Sequence, residues 1–207
     1  MKRSIFIEVF IANCIFFFLI LSGWFYDFWG SIAFNFIIGA VPIYFWKSQG
    51  RPLEKLGFSK DNLLKQIIIG LILLTILVIT FISLSFIYGN SITSLLAGKI
   101  TDIRVVIIQF FLMILVGFGE EVLFRGYMLE RVVSLTSSKV LSILITSIIF
   151  GLGHFVINKS LFQMIFTITF GVFLSTARLY IKYCSTTSVI ITHGLYSFTL
   201  VLIRYIF

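Results

Sequence analysis

The sequence predicts an all-α protein, a bundle of transmembrane helices that crosses a lipid bilayer about seven times. Two features of the composition predict this class: 59% of the 207 residues are hydrophobic and only 12% are charged. Soluble domains carry about 25% charged residues, and a soluble fold would leave much of this apolar surface in water. We therefore expect a multi-pass membrane protein with a single integral domain over residues 1–207.

Seven apolar stretches are long enough to cross the bilayer, which takes ~20 residues in a helix. They lie at about 5–25, 29–46, 64–88, 104–126, 139–157, 161–180 and 186–206. The first follows Lys2 and Arg3, as the core of a signal peptide would. Its apolar run is longer than an ordinary signal core, however, and no Ala-x-Ala site follows it. We interpret it as an uncleaved first span.

The distribution of basic residues predicts the orientation of the bundle. With the N-terminus in the cytoplasm, 12 of the 16 Lys and Arg residues fall on inner segments and 4 on outer segments. Such an excess is typical of cytoplasmic loops, so we expect a cytoplasmic N-terminus and an external C-terminus. The net charge of +8 is then explained by topology and by anionic lipid headgroups. The sequence therefore predicts a lipid bilayer, and no nucleic acid, as a partner.

Three charged side chains follow the apolar run of the fourth span: Glu120, Glu121 and Arg125. A charge at the centre of a bilayer costs ~2.5–3.5 kcal/mol, so we expect all three to face the protein interior. Glu121 and Arg125 are four residues apart and share a helix face, which predicts a supporting ion pair. Glu120 points about 100° away and lacks a local cation, as suits a general base. A purely structural cluster of ion pairs is the alternative.

Both histidines of the chain lie inside predicted spans. His154 ends the stretch Phe150-Gly151-Leu152-Gly153-His154, and His193 has Ser197 one helical turn later. The imidazole of His193 and the hydroxyl of Ser197 can donate two hydrogen bonds to one oxyanion. Ordinary packing or hydrogen bonding between helices is the alternative at each position. We also interpret the small residues of span six, namely Thr167, Gly171 and Ser175, as packing.

The candidate residues allow two kinds of hydrolytic chemistry. Two histidines and two glutamates can hold a divalent metal such as zinc, with Glu120, His154 and His193 as the candidate ligands. The same groups can activate a water molecule without a metal. The residue types and their spacing leave both alternatives open.

The order and spacing of these motifs resemble the type II CAAX prenyl endopeptidase family, whose bacterial members are called the CPBP or Abi family. The stretch from Glu120 to Arg125 matches the motif Glu-Glu-x-x-x-Arg, and Phe150 to His154 matches Phe-x-x-x-His. His193 is similar to the first residue of the motif His-x-x-x-Asn. The resemblance covers about residues 104–200, which would form the protease-like core.

This resemblance implies a membrane-embedded peptidase of a bacterial cell membrane, of the metallo- or the glutamate type. Its substrate would be a peptide or protein tail, cleaved near the cytoplasmic face. The resemblance assigns water activation to Glu120 and His154, and oxyanion stabilisation to His193 and Ser197. It leaves the oligomeric state open.

One residue departs from the family pattern, because Ser197 stands where asparagine is usual. Serine has one hydrogen-bond donor where an amide has two, and losing an oxyanion donor costs ~10²–10³ in rate. An alternative function is therefore a non-catalytic bacteriocin-immunity or peptide-binding membrane protein of the same fold. A carrier that uses the buried charges is a third hypothesis, although no inverted repeat is recognisable.

The predicted spans place two of the candidate residues at different depths. Glu120 would lie near the inner end of span four, whereas His154 follows Lys139 by fifteen residues, or ~22 Å. We expect residues 127–138 to form an interfacial helical turn between these spans. Glu120 and His154 can then meet only if span five begins below the membrane or the helices tilt strongly.

Overall fold

The computed structural model describes residues 2–23, 26–87 and 99–206, and all regular secondary structure in these ranges is helical. The helices are α1 (Lys2–Leu21), α2 (Phe28–Ser48), α3 (Leu63–Ile87), α4 (Ile103–Glu121), α5 (Leu129–Thr136), α6 (Lys139–Asn158), α7 (Leu161–Tyr180) and α8 (Thr186–Ile206). A π-helical segment, Val122–Met128, joins α4 to α5.

Seven helical stretches of this structure are long and apolar enough to cross a membrane, with α4, the π-helical segment and α5 forming one of them. The prediction of a seven-span, all-α bundle is therefore confirmed. Most predicted boundaries agree within a few residues. The predicted ends of the first and third spans, at residues 25 and 88, lie outside the described residues.

Polar side chains fix the starts of α2, α4, α6 and α7. Asp27 and Asp102 accept hydrogen bonds from backbone N–H groups of the first turn, and Ser138 and Ser160 do the same. The first N–H groups of a helix have no partner within it, and an apolar surrounding makes that costly. These caps explain why helices begin at the boundaries of the apolar stretches.

The fourth span is longer than the sequence predicted. It runs without a break from Ile103 to Thr136, which is 34 residues, or ~51 Å at 1.5 Å per residue. The expected interfacial turn at residues 127–138 is instead largely a continuation of this helix, and its first residues, Tyr127 and Met128, are fully buried. This extra length changes where the fifth span begins relative to the charged motif.

A helical hairpin brings Glu120 and His154 to the same level. The chain reverses between α5 and α6 at Ser137, which has a left-handed backbone (φ 57°). Glu120 lies seventeen residues before Ser137, and His154 lies seventeen residues after it. The two arms are equally long, so both side chains meet at one height. The fifth span therefore starts well beyond the level of Glu120, which is one of the two arrangements that the sequence allowed.

An ion pair anchors α1 to the rest of the bundle. Arg131 is 1% exposed and forms this ion pair with the partly buried Glu8 of α1. The Arg131 guanidinium also donates to Gln49 at 3.2 Å, and the Tyr127 hydroxyl donates to Glu8 at 3.3 Å. Because each charge of this pair has a partner, α5 can remain helical although its arginine is buried.

Two glycines allow α4 and α8 to approach closely. A Cβ atom added to Gly117 would lie 2.8 Å from the backbone nitrogen of Gly194. Small residues permit such backbone contact between membrane helices. Glu121 lies one turn after Gly117, and His193 directly precedes Gly194. The glycine contact therefore sets the distance between the carboxylate and the imidazole.

We predict that Gly117→Ala lowers the stability of the folded protein by about 1–3 kcal/mol, because the new methyl group overpacks the contact with α8. Thermal unfolding in detergent, followed by intrinsic fluorescence, measures this change. Val105→Ile is a matched control, since it adds one carbon on the same helix at a side chain that is 39% exposed. Equal effects of the two substitutions would contradict close packing at Gly117.

Candidate active site

The carboxylate of Glu121 lies at the centre of the buried charges. Its Oε1 atom accepts a hydrogen bond from Arg125 Nη1 at 2.8 Å and lies 2.8 Å from His193 Nδ1. Glu121 is fully buried and Arg125 is 1% exposed. The ion pair that the i, i+4 spacing predicts is therefore present. It also orients a histidine of α8, a contact that the spacing did not indicate.

The contact with Glu121 determines which nitrogen of His193 carries a hydrogen. A carboxylate paired with Arg125 is ionised and only accepts hydrogen bonds, so His193 Nδ1 acts as the donor. The second ring nitrogen, Nε2, then faces Glu120, at 3.8 Å from its Oε2 atom. Histidines that work as ligands or catalysts are commonly oriented in this way by a carboxylate on the other nitrogen.

Glu120 faces both histidines. Its Oε2 atom lies 3.8 Å from His154 Nε2 and 3.8 Å from His193 Nε2. This separation is too long for a direct hydrogen bond and short enough for one water molecule to contact both groups. Within the described residues, Oε2 of Glu120 is buried and has no hydrogen-bond partner. The structure thus brings together the two carboxylates, the arginine and both histidines.

Aromatic rings hold these polar groups in place. The ring of Phe150 lies edge-on to His154, with 4.7 Å between the two centroids. Arg125 Cζ lies 4.4 Å from the centre of the Phe150 ring. Phe170 of α7 packs in the same way against His193, at 5.0 Å. The sequence reasoning missed Phe170, because it is one of 25 phenylalanines and carries no polar signal. Both rings restrict the orientation of the imidazoles.

Ser197 is the predicted site residue with the weakest link to this cluster. It lies one helical turn after His193 on α8 and is half-buried. Among the described residues, no hydrogen bond joins its hydroxyl to Glu120 or to either histidine. Its assignment to an oxyanion site therefore stays a prediction.

The candidate metal ligands are close to a zinc-binding geometry without reaching it. In the part of the chain that the structure describes, no three His, Cys, Asp or Glu side chains are arranged to hold a metal ion. Two ligands of a tetrahedral zinc ion lie ~3.3–3.4 Å apart, whereas Glu120 Oε2 lies 3.8 Å from each histidine nitrogen. The donor types suit zinc, and a closure of about half an ångström would bring these two distances into the range of zinc ligands.

The segment that contains this site matches a known protein family. Residues 102–199 match the family model described as type II CAAX prenyl endopeptidase Rce1-like. This segment, just under half of the 207 residues, is similar to that family. The CAAX endopeptidase match begins at Asp102, the cap of α4, and ends within α8, so it includes all six predicted site residues. The predicted resemblance to this family is confirmed for the segment that contains the site.

The match leaves α1, α2 and α3 outside the CAAX endopeptidase model. No curated protein and no solved structure matches the chain. The similarity to a family of proteases therefore lies in the segment from α4 to α8, which contains the site.

We predict that the Glu121–Arg125 pair acts as one unit in stability. Glu121→Gln or Arg125→Gln leaves a buried charge without its partner, which should cost about 3–5 kcal/mol. The double variant removes both charges, so it should be more stable than the sum of the single effects predicts. Unfolding by denaturant in mixed micelles gives the three free energies. Additive losses would show that the two charges are not coupled.

Proposed function

We propose that this protein is an intramembrane endopeptidase that hydrolyses a peptide or protein tail with a water molecule activated by Glu120 and His154. The observation that carries this proposal is the position of Glu120 Oε2, 3.8 Å from both histidine Nε2 atoms. A carboxylate with one buried oxygen that has no hydrogen-bond partner among the described residues, flanked by two imidazoles, suits general acid–base chemistry. The family match supports a protease.

In the proposed reaction, a water molecule lies between Glu120 and His154. Glu120 takes one proton from the water while the water oxygen forms a bond with the carbonyl carbon of the scissile peptide. The carbonyl oxygen becomes an oxyanion, which His193 stabilises by donating a hydrogen bond. Glu120 then gives its proton to the peptide nitrogen, and the carbon–nitrogen bond breaks to release an amine and a carboxylic acid.

The contact between His193 and Glu121 supports the role of His193. Donation from Nε2 to an oxyanion requires a hydrogen on Nε2 as well as on Nδ1, so His193 would act as an imidazolium. The carboxylate of Glu121, 2.8 Å from Nδ1, is placed to stabilise that positive charge. Arg125 balances the negative charge of the Glu121 carboxylate and fixes the orientation of this carboxylate. The supporting pair thus acts through His193.

We place the reaction in the cytoplasmic half of the bilayer. With the proposed orientation, α4 starts at the outer side, and Glu120 lies seventeen residues after Ile103, or ~25 Å along the helix. His193 lies seven residues, or ~10 Å, after Thr186, where α8 begins at the inner side. In this orientation, both distances support a site nearer to the inner surface.

We predict that Glu120→Gln abolishes hydrolysis without unfolding the protein, because an amide cannot take a proton from water. The assay reconstitutes the protein in liposomes with a library of membrane-anchored, fluorescence-quenched peptides, and mass spectrometry identifies the products. Glu54→Gln is the control, since it makes the same change at an exposed carboxylate. Hydrolysis at the wild-type rate by Glu120→Gln would refute the mechanism.

Removal of metal ions distinguishes a metallopeptidase from a glutamate-type peptidase. A zinc ion on Glu120, His154 and His193 would lower the pKa of a bound water to about 7. Dialysis of the active protein against 1,10-phenanthroline should abolish hydrolysis of a metallopeptidase, and added zinc should restore it. A glutamate-type peptidase keeps its activity under the same treatment.

We predict that Ser197→Asn raises the rate of hydrolysis, by up to about 10²-fold, because the amide supplies the donor usual in the family. Thr199→Asn is a matched control on α8, where the hydroxyl donates to the Leu195 carbonyl oxygen of its own helix. Measurement of kcat on a peptide from the library tests this expectation. An inactive wild type that still binds the peptides would favour the non-catalytic alternative.

A further inference from the structure

Two lysine side chains contact one exposed tyrosine ring at an end of the bundle. Tyr183 lies in the connection between α7 and α8 and is 38% exposed. The Nζ atoms of Lys65 and Lys182, which we call the lysine pair, lie 4.4 and 5.0 Å from the centre of this ring. Because both are this close to one ring, their two positive charges lie at a separation that salt screens only in part.

Hydrogen bonds within the bundle hold this arrangement together. The buried Gln66, which follows Lys65 on α3, accepts a hydrogen bond from the Ser185 hydroxyl at its side-chain oxygen. The Ser188 hydroxyl donates to the Gln66 backbone carbonyl oxygen at 2.8 Å. These bonds join the start of α3 to the connection between α7 and α8. The positions of Lys65 and Tyr183 relative to each other therefore depend on the fold and not only on their own contact.

The backbone of Tyr183 is in the left-handed region, with a φ of 64°. This conformation is uncommon for residues other than glycine, and a bulky side chain is an outlier there. Residues held in such conformations cluster at functional sites. Glycine or asparagine would form the same turn with less strain, so the turn itself does not require a tyrosine ring at this position.

The surface around the ring carries an excess of positive charge. Among the described residues, no carboxylate forms an ion pair with the lysine pair, because Glu130 is bonded to Arg178 instead, at 3.3 Å. A third ammonium group, that of Lys139, lies 5.1 Å from the ring centre of the exposed Tyr180, the last residue of α7. Such a surface favours a negatively charged partner.

The position of this surface and its apolar neighbours indicate which partner that is. The spans α3 and α8 begin here and α7 ends here, so the lysine pair lies where these helices leave the apolar core of the membrane. Leu64, next to Lys65, is 69% exposed, and Ile181, next to Lys182, is 44% exposed. A molecule with a negative headgroup and apolar chains can contact both kinds of side chain.

We propose that the lysine pair and Tyr183 bind the headgroup of one anionic phospholipid at the membrane surface. The two ammonium groups attract the phosphate, and the ring keeps them beside each other through cation–π contacts. With the expected cytoplasmic N-terminus, this surface lies at the inner leaflet, where basic segments attract anionic lipids. The proposal does not depend on the peptidase function, so the two can fail separately.

Native mass spectrometry of the full chain in detergent tests the proposal, with phosphatidylglycerol and phosphatidylcholine of the same acyl chains as probes. The wild type should retain phosphatidylglycerol more tightly than phosphatidylcholine. Lys65→Gln/Lys182→Gln should lower the affinity for phosphatidylglycerol about 25-fold, or about fivefold for each lysine, and should leave that for phosphatidylcholine unchanged.

Lys47→Gln/Lys60→Gln is the matched control, because it removes the same charge from two exposed lysines of the same predicted membrane face. Its affinity for phosphatidylglycerol should equal that of the wild type. Equal losses in the two double variants would show a diffuse attraction of basic residues to lipid and overturn the proposal. Binding of poly-glutamate by the lysine pair, with no preference between the two lipids, would assign the surface to a soluble acidic partner and also overturn it.

Tyr183→Asn tests the ring separately from the charges. Asparagine tolerates the left-handed backbone, so the variant should unfold at the wild-type temperature. Its affinity for phosphatidylglycerol should nevertheless fall several-fold, because the two ammonium groups lose the ring that holds them together. Wild-type affinity of a folded Tyr183→Asn variant would refute the role of the tyrosine.

Discussion

The structure depends on one carboxylate that has two partners inside a bilayer. Glu121 binds Arg125 on its own helix and His193 on α8, and both partners are almost completely buried. An unpaired charge in this surrounding would be costly, so any shift of α8 against α4 must preserve these contacts. The close approach at Gly117 serves this purpose, because it brings the two backbones near enough for a short side chain to reach across.

Features that depend on the apolar length of a segment or on the spacing of nearby residues could be predicted from the sequence. Span number follows from apolar length, and the Glu121–Arg125 pair follows from helical spacing. The length of the fourth span could not be predicted, because the charged motif looks like the end of an apolar run. The helix continues because Arg131 finds Glu8 on α1, more than a hundred residues away in the chain. Such pairing leaves no periodic signal.

The residues of the site could likewise be predicted only in part, because contacts between distant helices leave no signal in the sequence. Glu120, His154 and His193 could be identified because ionisable groups are rare in membrane helices. Which of them share a hydrogen bond depends on helix packing, so the contact between His193 and Glu121 appeared only in three dimensions. Phe170 had no distinguishing property in a chain this rich in phenylalanine.

The π-helical segment limits where residues can be inserted into this chain or deleted from it. Val122–Met128 separates the carboxylates from Arg131, and their relative directions depend on the number of residues between them. Deleting one residue there would rotate α5 by about 100° against α4 and separate Arg131 from Glu8. A substitution in this segment changes the contacts of one side chain, whereas a one-residue gap would change the direction of every later side chain. We therefore expect insertions and deletions to be confined to the connections between the spans.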